Sequence, residues 1–315
     1  LSWQTVIIAL EPITMENKNF DVIIIGGSYA GLSAGMALGR SLRNVAIIDS
    51  GKPCNRQTPH SHNFITHDGR PPKEIAGLAR EQVEKYNTVK FYSGTVIKTK
   101  KTPEGFKVET DTHDFFYAKK LILASGVKDI MPEIPGFAEC WGISVLHCPY
   151  CHGYEVKNET TGILSDGDMA FDFSKLVFNM TKDLTLLTNG NSVLTNEQIE
   201  KLKQNTISLN ENEIDKIEHT DGYIQKVVFK DGTFLPLKAL YAKIPFQQNI
   251  NISEDLGCEM TEQGFVKVDF MQKTSIPGVF ACGDNVTMMR SVANAIAQGN
   301  FAGAVANKEL ADEAF

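Results

Sequence analysis

The stretch Asp21-Val-Ile-Ile-Ile-Gly26-Gly-Ser-Tyr-Ala-Gly31-Leu-Ser-Ala-Gly-Met-Ala-Leu38 decides the fold. Its β-branched run from Val22 to Ile25 reads as a short strand buried on both faces. A glycine-rich turn follows, and Leu32 to Leu42 then sets small and apolar residues at helical spacing. Val45-Ala-Ile-Ile48 is a second buried strand, ending at Asp49. This is a βαβ unit. In a G-x-G-x-x-G turn the first glycine permits the tight bend, the second lets the backbone approach a pyrophosphate, and the third lets helix and strand pack closely. Gly26 and Gly31 fill the first and third places, and Ser28, small enough to keep the approach open, fills the second. The helix N-terminus offers unpaired N–H groups and a favourable dipole to phosphates. Asp49 lies about twenty residues on, where an acidic side chain reaches ribose hydroxyls.

Outward from this unit, residues 90–118 read as antiparallel strands with a turn near Pro103-Glu-Gly105. Lys120-Leu-Ile-Leu-Ala-Ser-Gly126 is an apolar strand running into a glycine, and the proline-rich segment Pro132 to Gly136 suggests a domain crossing. A second βαβ-like pattern begins at Thr161, with a strand over 162–165, a turn at Asp166-Gly-Asp168, a helix over 170–180 and a strand over 184–187. Asp221-Gly222 and Asp231-Gly232 punctuate strands as tight hairpins. From about residue 245 the chain returns to the first domain. Gly278-Val-Phe-Ala-Cys-Gly-Asp284 is a strand entering a turn, and Ser291 to Leu310 is a long Ala-rich helix.

The chain of 315 residues carries a formal net charge of -7, which argues against a nucleic-acid surface and leaves no polybasic membrane patch. No apolar run approaches the roughly 20 residues of a transmembrane helix. Residues 1–14 read as an upstream extension, because Met15-Glu-Asn-Lys-Asn resembles a native start and Val6 to Leu10 is too short for a signal-peptide core. The cytoplasm is therefore the expected compartment.

Of six cysteines, only Cys148 and Cys151 are closely spaced, in His147-Cys-Pro-Tyr-Cys-His-Gly153. A structural zinc site needs two further ligands at suitable spacing, and there is no second CxxC. No metal is expected. A redox couple suits the pair better: the two-residue spacer allows a small disulfide ring, and positive charge or helix-terminal N–H groups can favour one thiolate. His152 is placed to hold or deliver a proton near neutral pH; a structural histidine is the alternative.

These motifs resemble the low-molecular-weight thioredoxin reductase family of flavoproteins. The resemblance runs from about residue 20 through Gly26 to Gly31, Ala124-Ser-Gly126, Cys148-Pro-Tyr-Cys151 and Thr274 to Asp284, in family order, and ends in Arg290-Ser-Val-Ala-Asn-Ala-Ile-Ala-Gln-Gly299, which looks like the final FAD-contacting helix. It implies an α/β fold of two Rossmann-like, FAD- and NAD(P)-binding domains, the second inserted in the first. Residues 15–137 and 246–315 would form the FAD domain, and 138–245 the insert carrying the CxxC. FAD would lie against Gly26, Ser28, Ala30, Gly31, Asp49, Gly126, Gly283, Asp284, Ser291, Val292 and Ala293. Cys148, Cys151 and His152 would be catalytic, with Cys151 beside the flavin and Cys148 exchanging with substrate. A homodimer is implied, acting on a thioredoxin-like protein or a small-molecule dithiol or disulfide.

Three departures set this chain apart. His152 stands where the family usually has an aspartate. The insert's nucleotide turn reads Ser165-Asp-Gly-Asp-Met-Ala170, with the first glycine lost and two carboxylates added, which repel a phosphate unless they point away. The basic cluster expected after the next strand is replaced by Thr188-Asn-Gly-Asn-Ser192, so the 2′-phosphate of NADPH lacks a cationic partner. NAD(P)H use is therefore an open expectation. The stretch Cys148 to Glu155, with Thr66-His-Asp-Gly69 upstream, looks closer to a side branch that includes the fungal gliotoxin-oxidase-type dithiol oxidases and bacterial relatives. Two alternatives follow: an oxygen-dependent dithiol oxidase, and a non-catalytic flavin redox sensor.

Overall fold

The computed structural model describes residues 18–315. The expected extension over 1–14 and the Met15 start lie outside the described residues. Strand β1 (Asn19–Ile25), helix α1 (Tyr29–Arg40) and strand β2 (Val45–Asp49) form the βαβ unit of the opening stretch. Val22, Ile23 and Ile24 are fully buried, as expected of a central strand with both faces covered. Helix α2 (Pro72–Glu84) leads to β3 (Val89–Ser93), and a meander of β4 (Val96–Thr102), β5 (Gly105–Thr110) and β6 (Phe115–Leu123) follows. The sheet order is β3-β2-β1-β6-β5-β4. It is parallel from β3 to β6 and antiparallel across the meander.

The chain then crosses through β7 (Val127–Asp129) and α3 (Phe137–Cys140) into β8 (Val145–Leu146), α4 (Pro149–His152), β9 (Thr161–Leu164), α5 (Gly167–Val177), β10 (Leu184–Leu187), α6 (Asn196–Gln204) and β11 (Ser208–Asn210). An antiparallel meander of β12 (Ile214–Thr220), β13 (Tyr223–Phe229) and β14 (Phe234–Pro236) precedes β15 (Ala239–Ala242). The second sheet is parallel throughout, in the order β11-β10-β9-β15-β8. Asp221 and Gly222 both take positive φ, the geometry of the expected tight hairpin.

The return crossing, β16 (Phe246–Gln248), pairs antiparallel with β7, so the two connections between the sheets lie side by side with Phe246 opposite Asp129. After α7 (Ile252–Asp255), β17 (Val279–Ala281) joins the first sheet. The long strand β6 accommodates this: Phe115 to Ala118 pair with β5, and Leu121 to Leu123 pair with β17. Helix α8 (Val292–Ala314) closes the chain against α1. A Cβ on Gly299 would stand 2.0 Å from the Ala30 carbonyl oxygen, and one on Gly303 2.7 Å from that of Ala34. The two helices thus meet backbone to backbone.

Two helix boundaries differ from the sequence expectation. Helix α5 starts at Gly167, three residues before Ala170, because Asp166 caps it through a hydrogen bond from the Gly167 amide; such a cap fixes the first turn. Helix α8 starts after Ser291, whose hydroxyl accepts the Asn294 amide.

Candidate active site

The glycine-rich turn after β1 opens onto a cavity of about 470 Å³ between the two sheets' C-terminal ends. The turn is fixed by contacts that leave no room for side chains. Gly26 has φ +108°, and a Cβ there would lie 2.2 Å from the Ala124 carbonyl oxygen; one on Gly31 would lie 1.8 Å from that of Gly26. Ser28, in extended conformation, is the residue before α1, so the helix N-terminus faces the cavity. The Gly27 amide donates to Asp49 Oδ1 (3.0 Å) and the Gly51 amide to Oδ2 (3.2 Å), which aims the carboxylate across the turn.

Gly26, Ser28, Ala30, Asp49, Gly126, Gly283, Asp284, Ser291 and Val292 all line this cavity. Gly31 does not: it sits behind the wall, where it lets α1 approach β1. Ala293 is an exposed residue of the first turn of α8, outside the lining. Of the thiol pair, Cys151 lines the cavity together with His152 and His147, and Cys148 stands just behind it, its sulfur 2.7 Å from that of Cys151. A strand–turn–helix cradle, a held ribose-directed carboxylate and a cavity of this size fit a dinucleotide flavin, whose pyrophosphate needs the helix N-terminus.

Cys148 caps the short helix α4. The Cys151 thiol donates to Cys148 Sγ at 2.7 Å, beyond the roughly 2.05 Å of a disulfide bond. That donated hydrogen bond, joined by backbone N–H groups of Cys151 and Tyr150 and opposed by burial, lowers the Cys148 pKa to about 7. The donor, Cys151, is pushed up by the same contact and by burial. Cys148 is the sulfur of the pair favoured as thiolate. Burial, with the nearby Arg290 and His152, pushes His147 down to about 3. Burial and then the neighbouring His62 push His152 down to about 4. Both imidazoles are therefore neutral at physiological pH.

Sequence reasoning overlooked a polar network in the cavity wall. Arg290 holds Asp129 with two hydrogen bonds (2.7 and 3.1 Å), Trp141 Nε1 donates to the same carboxylate (3.2 Å), and Arg290 Nε lies 3.5 Å from Asp284 Oδ2. The Cys54 thiol donates to Asp284 Oδ2 at 3.5 Å. Its sulfur faces the cavity within the protein envelope, and burial with the Asp284 charge pushes its pKa up to about 12. Burial likewise raises Asp284. Cys54 reads in the sequence as one more isolated cysteine, and nothing in its neighbours signals this place. Arg290 opens the segment that resembles the family's final helix, and its pairing with Asp129 is not signalled there.

The insert's own nucleotide crevice is filled from within. Asp166 Oδ1 accepts the Gly167 amide (2.7 Å) and the Ser192 hydroxyl (3.0 Å), and Oδ2 accepts the Val193 amide (2.9 Å). Gln198 Nε2 donates to Asp168 (2.7 Å). The Gly167 amide at the start of α5 and the Val193 amide in the loop after β10 are thus taken by Asp166, and the Ser192 amide by Glu211 Oε1. A nicotinamide dinucleotide does not fit here: its pyrophosphate would meet two carboxylates and no cation in Thr188 to Ser192.

Two nucleotide-binding folds with a dithiol between them define a flavin-dependent disulfide oxidoreductase. The chain belongs to the pyridine nucleotide-disulphide oxidoreductase family, whose model matches residues 20–299. It is similar to the thioredoxin reductase tcpT of Claviceps purpurea, with 34% identity over 92% of this chain and 94% of that protein. Among solved structures it resembles TrxB from Bacillus anthracis (TM-score 0.90, 33% identity, 94% of this chain and 100% of that one). It also resembles an oxidoreductase from Agrobacterium tumefaciens (TM-score 0.88, 37% identity, 93% and 99%). The chain is a FAD-dependent disulfide oxidoreductase of thioredoxin reductase type.

Proposed function

We propose that Cys148 and Cys151 carry electron pairs between bound FAD and a dithiol or disulfide substrate, Cys151 serving the flavin side and Cys148 the substrate side. The carrying observation is the asymmetry of the pair: Cys151 alone of the two lines the flavin cavity, and Cys148 alone is favoured as the thiolate. FAD supplies reversible two-electron chemistry; the protein supplies the cradle of Gly26, Ser28 and Asp49 and the paired sulfurs. The substrate is a thioredoxin-like protein or a small-molecule dithiol or disulfide. Residues 138–245 act as the thiol-bearing insert of a FAD domain made from both chain ends. The chain works as a cytoplasmic homodimer, a reading that rests on the family resemblance; among the described residues no helix is long and apolar enough to cross a membrane.

The filled crevice at Asp166 favours one direction. In that direction the dithiol becomes a disulfide at Cys148 and Cys151, and FAD held at Gly26, Ser28 and Asp49 would supply the transfer of the electron pair to dioxygen, giving hydrogen peroxide with the two protons released. An anaerobic titration of the yellow protein tests both parts. Bleaching by a dithiol, reversed by air and absent in Cys151→Ala, is expected; an unchanged Cys151→Ala reaction overturns the assignment of the thiols. Rapid bleaching by NADPH or NADH would restore a nicotinamide donor and overturn the oxidase direction alone.

A further inference from the structure

The loop Ser61 to Arg70 contains the Thr66-His-Asp-Gly69 segment, and its purpose is not explained by the flavin cradle. It is a tightly made hairpin. Ser61 and Arg70 pair through the Ser61 amide and the Arg70 carbonyl (2.8 Å), and the Gly69 amide donates to the Ser61 carbonyl (2.8 Å). The Asn63 amide donates to Asp68 Oδ1 (2.7 Å). Asn63 and Thr66 both hold positive φ, which costs a non-glycine residue conformational energy and marks a loop whose shape is over-determined by its contacts. This loop presents Ser61 and His62 to the cavity, beside His60 just before it.

His62 Nδ1 faces two carboxylates: Glu155 Oε1 at 3.4 Å and Asp68 Oδ1 at 3.8 Å. Glu155 follows the CxxC in the segment Cys151-His-Gly-Tyr-Glu155, so the contact joins the two segments that set this chain apart in sequence. Glu155, like both cysteines, acts on the Tyr241 hydroxyl. The buried Tyr241 hydroxyl has no hydrogen-bond partner, and its pKa is raised by burial and by the charges of Cys148, Glu155 and Cys151 around it. The imidazole is therefore bracketed by carboxylates on Nδ1 and belongs to the cavity that Cys151 and His152 line. Carboxylates on one ring nitrogen hold the proton there and leave the other nitrogen as the basic one.

Thiol exchange needs such a group. An incoming thiol must lose its proton before its sulfur attacks, and the neutral His147 and His152 are weak bases held down by burial. We propose that His62, held by Glu155, is the proton acceptor for the substrate thiol. Nε2 of His62 takes the proton of one substrate S–H. The resulting thiolate attacks Cys148 Sγ of the oxidised pair, the Cys148–Cys151 bond breaks, and Cys151 leaves with the electron pair. The Cys151 thiolate takes the proton of the second substrate thiol, whose sulfur then attacks the first, closes the product disulfide and releases Cys148 as a thiolate. In the reverse direction the His62 imidazolium protonates the departing substrate sulfur. The groups that face His62 are Asp68, Glu155, His60 (ring centroids 6.4 Å apart) and His152.

This proposal rests on the thiol-exchange reading above, and one experiment separates their failures. The anaerobic bleaching rate of the holoenzyme by dithiothreitol is followed from pH 6 to 9.5 for the parent, His62→Gln and Glu155→Gln proteins. His62→Gln should lose about a hundredfold in rate at pH 7. It should regain most of that near pH 9.5, where the dithiol ionises unaided. Glu155→Gln should show a smaller loss with the same recovery. Parent-like rates for His62→Gln at pH 7, or a loss that is equal at every pH, overturn the proposal; the second marks a purely structural residue. Failure of the parent itself to be bleached by any dithiol counts against the thiol-exchange reading instead.

Discussion

Cys148 stands at the N-terminus of α4 with a thiol pressed against its sulfur, and this sets its reactivity. In dithiol-reduced protein its alkylation by iodoacetamide should rise with pH through about 7 and level off above it. In Cys151→Ala the donated hydrogen bond is gone, so the midpoint should move towards that of an ordinary thiol. A midpoint unmoved by the substitution, read by mass spectrometry of the Cys148 peptide, would assign the low value to the backbone amides alone. His147 and His152 make a second residue-scale statement. Each binds its proton at about 3 or 4 in the folded chain and near 6.5 when unfolded. Between those values the unfolded chain holds more protons, so stability rises with pH across this window and is lost as pH falls below about 6.5. Melting temperatures measured at pH 7, 6 and 5 should fall in that order, and His152→Gln should flatten the fall. A flat profile in the parent would show that neither ring is buried as described.

The elements carry their own predictions. Helices α1 and α8 touch through Gly299 and the Ala30 carbonyl, so Gly299→Ala forces them apart at the helix start that borders the cavity. Overpacking of this kind costs about 1–3 kcal/mol, and the purified variant should melt lower and retain less flavin than the parent. Full occupancy by absorbance, with an unchanged melting temperature, would show that the helix pair yields without consequence. Asp166→Ala removes the cap of α5 and the anchor of the loop after β10; about 1 kcal/mol is the usual loss for such a cap. At this scale the sequence was most informative. The strand–turn–helix at Gly26, both hairpin turns and the last helix were legible because glycine position and hydrophobic period report local backbone demands. Gly31 and Ala293 show the limit: a motif names residues near a ligand without saying which face of the backbone they present. Cys54, Asp129 and Trp141 meet Arg290 and Asp284 only through tertiary packing, so no local pattern announces them. Asp166 was legible as an obstacle in the nucleotide turn, although not as the acceptor of three hydrogen bonds.

Across the whole molecule, Asp129 is the point where the two sheets' territories are tied. It lies on a crossing strand, accepts two hydrogen bonds from Arg290 before α8 and a third from Trp141 beyond α3. Its side chain is only 8% exposed, and breaking one partner of a buried ion pair costs about 3–5 kcal/mol. Asp129→Asn should therefore lower the melting temperature and shift the emission of Trp141, whose indole loses a charged acceptor. An unchanged Trp141 spectrum would show that the tie does not set the position of the thiol-bearing segment.

The side-by-side crossings β7 and β16 have a consequence for engineering. Because Asp129 lies opposite Phe246 in an antiparallel ladder, everything between them enters and leaves the host sheet at one point. A chain with residues 130–245 replaced by a short hairpin turn would keep every strand of the first sheet in register. The intervening segment is thus joined to its host sheet as a cassette, through one pair of adjacent crossings.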